Sequence, residues 1–251
     1  MSPCSTRLLQ IAVFFLSNVS AHARTDEFQG TARSGGKVVY IEKHRLELDA
    51  SGKLLTAKTR YESPDGKPIA ELESDFTRSL MVPDHVMRDL RTGGEEGLRR
   101  EGAALILFDR VKGKDERTRT LTSKDAEQRI LVGCQGLNYY VLNNLDSFSG
   151  ETVVPLRFLI PGKLDYYDFD MREVESPDKN LAEFEIKIRN WFLKLFAPSL
   201  RVRYDRATKR IVWYEGISNL LSDSGSNQKV EIEYRYGAPP KAQASPAVDA
   251  R

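Results

Sequence analysis

The sequence has 251 residues, of which 38 are Lys or Arg and 36 are Asp or Glu, so the formal net charge is only +2. This near balance leaves no broad cationic surface, which disfavours nucleic acid and other polyanions as partners. The length is sufficient for one domain with a sizeable hydrophobic core, or for two small ones.

Residues 1–23 have the three parts of a secretory signal peptide. Arg7 precedes an apolar run at 8–16, and Ala21 and Ala23 form a small-residue cleavage site. The run is shorter than the ~20 residues that a membrane-spanning helix needs. We therefore expect cleavage after Ala23, export to the periplasm and no transmembrane segment after processing.

The remaining chain is predicted to form a single domain over residues 37–236. Residues 24–36 are expected to be a flexible arm and residues 237–251 a disordered tail, because Gly, Ala and Pro there leave little to bury. Within the domain, apolar and polar residues alternate in segments such as 38–48 and 55–61, which is typical of strands with one buried face. Glycine-containing turns between these segments predict an antiparallel meander.

The periodicity changes from two to about 3.6 after residue 136. Apolar residues then recur at helical spacing up to position 148, and Gly150 stands where a helix would end. Strands resume at 153, giving about ten strands and one amphipathic helix at 137–148. The predicted fold class is mainly β (α+β), with a large curved antiparallel sheet, a half-open barrel, wrapped around this helix.

Two stretches of the sequence, at 139–174 and 200–220, resemble a family of exported bacterial proteins of uncharacterised function. The general plan of signal peptide, curved sheet and central helix is similar to that of the LolA/LolB-type carriers of periplasmic lipoproteins. This second resemblance is one of architecture and brings no shared site motif. The long charged segment at 88–101 departs from the pattern of those carriers.

Residue types that carry catalysis are scarce, and we predict that the protein is not an enzyme. The sequence has no H-E-x-x-H, C-x-x-C, G-x-S-x-G or P-loop motif. His44 is interpreted as a core histidine or as a pocket-lining base, and His85 lacks further metal ligands at defined spacing. Cys134 has no partner cysteine after processing and is interpreted as an inert thiol. No cofactor and no metal site are predicted.

The most informative segment for function is NWFLKLF at 190–196, in which five of seven residues are large and apolar. It is interpreted either as the mouth of a hydrophobic pocket or as a turn that closes the core. Together with the apolar faces of neighbouring strands, it defines the predicted ligand lining: Phe158, Phe169, Phe184, Ile186, Trp191, Phe192, Trp213 and Tyr234.

The sequence therefore favours a periplasmic, non-enzymatic binding protein for a lipid, an acyl chain or another hydrophobic small molecule. The alternative is a structural or assembly module of the bacterial cell envelope, which would act through contacts with an envelope protein partner. A concave face filled by side chains would favour the alternative, and a titratable cluster converging on a cleft would favour an enzyme.

Overall fold

The computed structural model describes residues 23–127, 129–133, 135–150, 152–189 and 199–237. These residues form fifteen strands and one α-helix, α1 (Gly136–Asn144). The strands are β1 (Arg24–Ser34), β2 (Lys37–Leu48), β3 (Leu54–Glu62), β4 (Pro68–Asp75), β5 (Asp84–Asp89), β6 (Gly94–Glu101), β7 (Ala104–Arg110), β8 (Arg117–Leu121), β9 (Ile130–Val132), β10 (Val153–Ile160), β11 (Asp165–Val174), β12 (Leu181–Ile188), β13 (Leu200–Asp205), β14 (Arg210–Ile217) and β15 (Lys229–Tyr236).

All fifteen strands belong to one sheet, in which β8 and β9 are the two edges. Neighbours in sequence are neighbours in the sheet from β1 to β8 and from β9 to β15, and β1 joins the two halves by pairing with β15. The pairs are antiparallel except for β9 and β10, which run parallel. The predicted mainly β class with one large, open antiparallel sheet is thus confirmed.

The prediction of about ten strands is wrong, in part because β1 and β6 lack a clear alternation of apolar and polar residues. Most of the flexible arm predicted at 24–36 forms β1, whose buried positions hold the small residues Gly30 and Ala32. The charged segment at 88–101 contains all of β6, where Glu95 and Arg100 form cross-strand ion pairs. The helix predicted at 137–148 is also shorter and ends at Asn144.

The sheet is rolled, with a concave face that contacts α1 and a convex face on the other side. The end formed by β6–β8 lies over the convex face of the end formed by β9–β11. Leu107 of β7 and Leu121 of β8 lie on the concave face, yet they pack in one cluster with Leu159 of β10. Leu159 points to the convex face. Its neighbours on β10 with the opposite parity, Leu156 and Phe158, point to the concave face and pack near α1. The concave face of β6–β8 therefore covers the convex face of β9–β11, as in a scroll.

The helix α1 lies inside this roll, enclosed by the concave face on two sides. Val141 and Leu145 pack into the cluster formed by β10–β13, while Tyr139 packs edge-on against Phe76, which follows β4. At the start of the helix, a Cβ atom on Gly136 would lie 1.8 Å from the carbonyl oxygen of Met81, so only glycine fits there. Within the described residues, no helix is long and apolar enough to cross a membrane.

Candidate functional site

A cavity of about 680 Å³ lies at one end of the roll, between α1 and the strands β1, β2, β14 and β15. Its volume is in the range of ~300 to 1,000 Å³ that is usual for small-molecule sites. The apolar part of the wall consists of Phe28, Leu46, Leu48, Tyr139, Leu142, Ile211 and Tyr236. Charged residues also line it: Arg24, Asp26, Glu27, Arg45, Lys209 and Arg210.

An aromatic stack forms one wall of this cavity at the seam between the two halves of the sheet. The register places Phe28 of β1 opposite both His44 of β2 and Tyr236 of β15. The Phe28 ring stacks on His44 with ring centroids 4.2 Å apart, and on Tyr236 with centroids 4.8 Å apart. The Tyr236 hydroxyl donates a hydrogen bond to the carbonyl of Ile211 at 3.0 Å, and burial raises the pKa of this hydroxyl. Ring contacts and one hydrogen bond therefore hold the aromatic side chains of this wall in position.

A chain of four polar side chains lies behind the aromatic stack. Nε2 of His44 donates to Oε2 of Glu42 at 2.9 Å, since a carboxylate only accepts. On the neutral imidazole, Nδ1 then accepts from the Thr59 hydroxyl at 2.8 Å, and that hydroxyl accepts from the Gln135 amide at 3.1 Å. Because Gln135 immediately precedes α1, the chain fixes the start of the helix to β2 and β3.

The order of hydroxyl, imidazole and carboxylate in this chain is also that of a nucleophilic catalytic triad. A nucleophilic oxygen must be reachable by its substrate, however, and Thr59 is 0% exposed. The arrangement in this structure therefore stabilises the fold and does not present a nucleophile.

Gly30 makes room for the carboxylate end of the chain. A Cβ atom at this position would lie 2.9 Å from Cε1 of Tyr234 and 3.0 Å from Oε2 of Glu42. Tyr234 also lies beside His44, with ring centroids 5.9 Å apart, and burial raises the pKa of its hydroxyl. A side chain larger than hydrogen at Gly30 would displace one of these groups.

The helix contributes one unsatisfied polar atom to the cavity region. Asn138 is among the cavity-lining residues, and its Oδ1 atom is buried without a hydrogen-bond partner among the described residues. An unsatisfied buried acceptor costs ~1 to 3 kcal/mol. A hydroxyl or amide group on a bound molecule would supply the missing donor.

The predicted lining residues occupy three different environments. Phe158, Phe169, Phe184 and Ile186 belong to the cluster that packs against α1, and Phe184 is 0% exposed. Trp191 and Phe192 lie outside the described residues, as do the rest of 190–196 and Cys134.

The other two predicted residues are on β14 and β15. Tyr234 packs near the aromatic stack, on the concave face. Trp213 points to the opposite face of the sheet from Tyr214. The Arg203 guanidinium lies 4.1 Å from the centroid of the Trp213 ring. Four of the six described residues therefore meet in one packed cluster, the other two lie elsewhere, and none of the six is in the lining of the cavity.

His44 and His85, the two histidines considered as candidate site residues, lie in different parts of the structure. His44 lies directly behind the cavity wall, in contact with Phe28. His85 is buried on the concave face of β5, donates from Nδ1 to the carbonyl of Pro83 at 3.2 Å, and has a pKa lowered chiefly by burial.

Sequence reasoning did not single out most of the residues that line this cavity. The parity of β2 placed Leu46 and Leu48 on the same face as His44, but Phe28 was assigned to the arm and Tyr236 to the end of the domain. The signal that unites them is the pairing of β1 with β15, which joins distant parts of the sequence.

No group of three or more His, Cys, Asp or Glu side chains within the described residues is arranged to hold a metal ion. No protein-family model matches the sequence. A comparison with curated proteins also finds no significant match. The resemblance to exported bacterial proteins and to LolA/LolB-type carriers stays a prediction.

Proposed function

We propose that the protein is a non-enzymatic binding protein that holds one hydrophobic small molecule, such as a lipid or an acyl chain, in the cavity of about 680 Å³. The single observation that supports this proposal is the combination of an apolar wall with a charged rim in one concave site. We further propose that the protein acts in the periplasm, after removal of residues 1–23.

The apolar wall favours binding because each methylene group of a ligand gains ~0.8 kcal/mol on leaving water. Phe28 and Tyr236 contribute their ring edges, because stacking on His44 and on each other occupies both faces of Phe28, and Leu48 and Leu142 add aliphatic surface from β2 and α1. A bound chain would replace water against these surfaces.

The wall is also preorganised, which lowers the free energy lost on binding. The stack of His44, Phe28 and Tyr236 holds the ring positions, and the hydrogen bond between Gln135 and Thr59 holds the start of α1. Few side chains therefore need to become ordered when a ligand enters.

The decisive variant is Leu48→Trp, which fills the cavity from its wall. Leu48 lines an open volume, so we expect the larger ring to enter it and to change the free energy of unfolding by less than ~1 kcal/mol. The same ring should abolish displacement of the neutral hydrophobic dye Nile red by dodecanoate. The measurement combines this displacement assay with a chemical denaturation curve.

The matched control is Leu90→Trp, because Leu90 is exposed and does not line the cavity. This variant should bind like the wild type. Equal loss of binding in both variants, or a wild-type protein that takes up neither dye nor dodecanoate, would contradict the proposal. Native mass spectrometry of protein purified from a periplasmic fraction would show a retained ligand as added mass.

The alternative function, an envelope structural module, is favoured by a different observation. The part of the concave face under α1 is filled, as expected of a scaffold whose surface makes the contacts. Under this alternative the wild type binds no hydrophobic ligand, and Leu48→Trp changes neither dye uptake nor assembly with an envelope partner.

A further inference from the structure

Most of the positive charges at the rim of the cavity are paired with carboxylates. Four cationic and two anionic residues line the cavity. Three of the cations are neutralised by carboxylates: Arg24 pairs with Asp26, Arg45 pairs with Glu47, and Lys209 pairs with Asp146. The fourth cation of the rim is Arg210, and it differs from the other three in its contacts.

Arg210 makes no ion pair and no side-chain hydrogen bond among the described residues. Its guanidinium lies 4.5 Å from the centroid of the Tyr236 ring, which is part of the aromatic stack. A guanidinium carries five N–H donors, and an aromatic ring attracts its charge without taking up these donors as a carboxylate would. Because Arg210 has no carboxylate partner among the described residues and lines the cavity, its N–H groups are available to an acceptor at the rim.

We infer that Arg210 binds the head group of the ligand, and that this head group is a carboxylate. This inference rests on the proposed function, because the cavity must first accept an apolar chain. The planar guanidinium matches the two oxygens of a carboxylate, and such charge-assisted bonds are stronger than neutral ones. The ligand is thus a fatty acid whose chain lies along Phe28 and Tyr236 and whose carboxylate lies at Arg210.

The rest of the rim favours a singly charged head group over a phosphate or a cation. A phosphate dianion would need a second unpaired cation, and the other three cations of the rim already pair with carboxylates. A quaternary ammonium group would instead meet the unpaired charge of Arg210. A neutral alcohol would offer Arg210 one uncharged acceptor oxygen in place of the two charged oxygens of a carboxylate.

The test compares three ligands that share one chain and differ in the head group: dodecanoate, dodecanol and dodecyltrimethylammonium. Their affinities for the wild type and for Arg210→Gln are measured by displacement of Nile red at pH 8. We expect the wild type to bind dodecanoate about ten-fold or more tightly than dodecanol. Arg210→Gln should lose this preference and keep the affinity for dodecanol.

Arg99→Gln is the matched control, because the Arg99 guanidinium also lies over an aromatic ring, that of Phe108, but does not line the cavity. It should keep the preference for dodecanoate. Arg210→Lys retains the charge without the planar fork, and we expect an intermediate preference. Circular dichroism of each variant shows that the fold is intact.

The outcomes separate this inference from the function on which it rests. Equal affinity of the wild type for dodecanoate and dodecanol, unchanged in Arg210→Gln, would overturn the carboxylate subsite and leave the hydrophobic cavity standing. An equal loss of both affinities in Arg210→Gln would assign the residue to the wall and also overturn the subsite. A wild type that binds none of the three ligands would overturn the proposed function itself.

Discussion

Two regions of the concave face, both in contact with α1, differ in how the space beside the helix is filled. Toward β10–β13 the helix contributes Val141 and Leu145, which pack with Phe184 and Tyr204 and leave these side chains almost without exposure. Toward β1 and β2 the helix contributes Tyr139 and Leu142, and a cavity of about 680 Å³ remains.

The difference between the two regions follows from the kind of strand side chain beside the helix. In the packed region, large apolar residues project from neighbouring strands toward the helix. In β1, by contrast, the positions that share the face of Phe28 toward the start of the strand hold Arg24 and Asp26, which pair with each other and line the cavity. Charged side chains are seldom fully buried, so they stay at the rim and do not fill the space beside the helix.

The largest effect is expected when the packed region is emptied. Phe184→Ala removes a ring that makes edge-to-face contacts with Phe148 and Tyr204, at 4.8 and 6.1 Å between centroids. We expect a loss of ~3 to 5 kcal/mol in the free energy of unfolding, measured by urea denaturation. Folded Phe184→Ala protein should keep its affinity for dodecanoate, and a stability loss below ~1 kcal/mol would show that this region is not tightly packed.

A smaller effect is expected when the packed region is overfilled. Ile186 is 2% exposed and neighbours Met171 and Leu200 across the strand pairs, so Ile186→Trp has no free volume to occupy. The free energy of unfolding should fall by ~1 to 3 kcal/mol. The comparison is with Leu48→Trp: if both tryptophans cost the same, the distinction between core and cavity disappears.

The smallest effect concerns the pH dependence of stability. It tests whether the part of the concave face that excludes water extends to β5. Burial lowers the pKa of His85 below its ordinary value of 6.5. The unfolded chain therefore takes up a proton first as the pH falls below about 6.5, and the folded state loses stability in that range. Above pH 6.5 this contribution to stability is fully present.

His85→Gln should remove that dependence while keeping a donor for the carbonyl of Pro83. In urea denaturation, the stability difference between wild type and His85→Gln should be larger at pH 8 than at pH 5. A difference that is the same at both pH values would mean that His85 titrates like a hydrated histidine, and that water reaches this part of the roll.

The fold class could be predicted from the sequence because most strands alternate clearly. The parity of β12, for example, correctly places Phe184, Ile186 and Ile188 on one buried face. The alternation fails in β1, where buried glycine and alanine resemble a flexible linker. It also fails in β6, where Glu96 points inward and is half-buried although it is charged.

The site was harder to predict than the fold, because parity assigns a residue to a face but not to a filled or an empty part of it. His44 and Leu46 were placed on the correct face of β2, and the cavity beside them depends on partners from β1, α1 and β15. Those partners are set by strand register between distant segments. A single sequence holds no local signal for that register.

The pairing of β1 with β15 has a consequence for the order in which this protein folds. The strands β2–β8 and β10–β15 are joined mainly by local hairpins, whereas the first and last strands must find each other across nearly the whole described chain. Contacts of such high sequence separation form slowly. Until β15 arrives, one edge of β1 stays unpaired and open to association with other chains. Because Phe28 and Tyr236 stack across this seam, the cavity wall is complete only when β1 and β15 have paired.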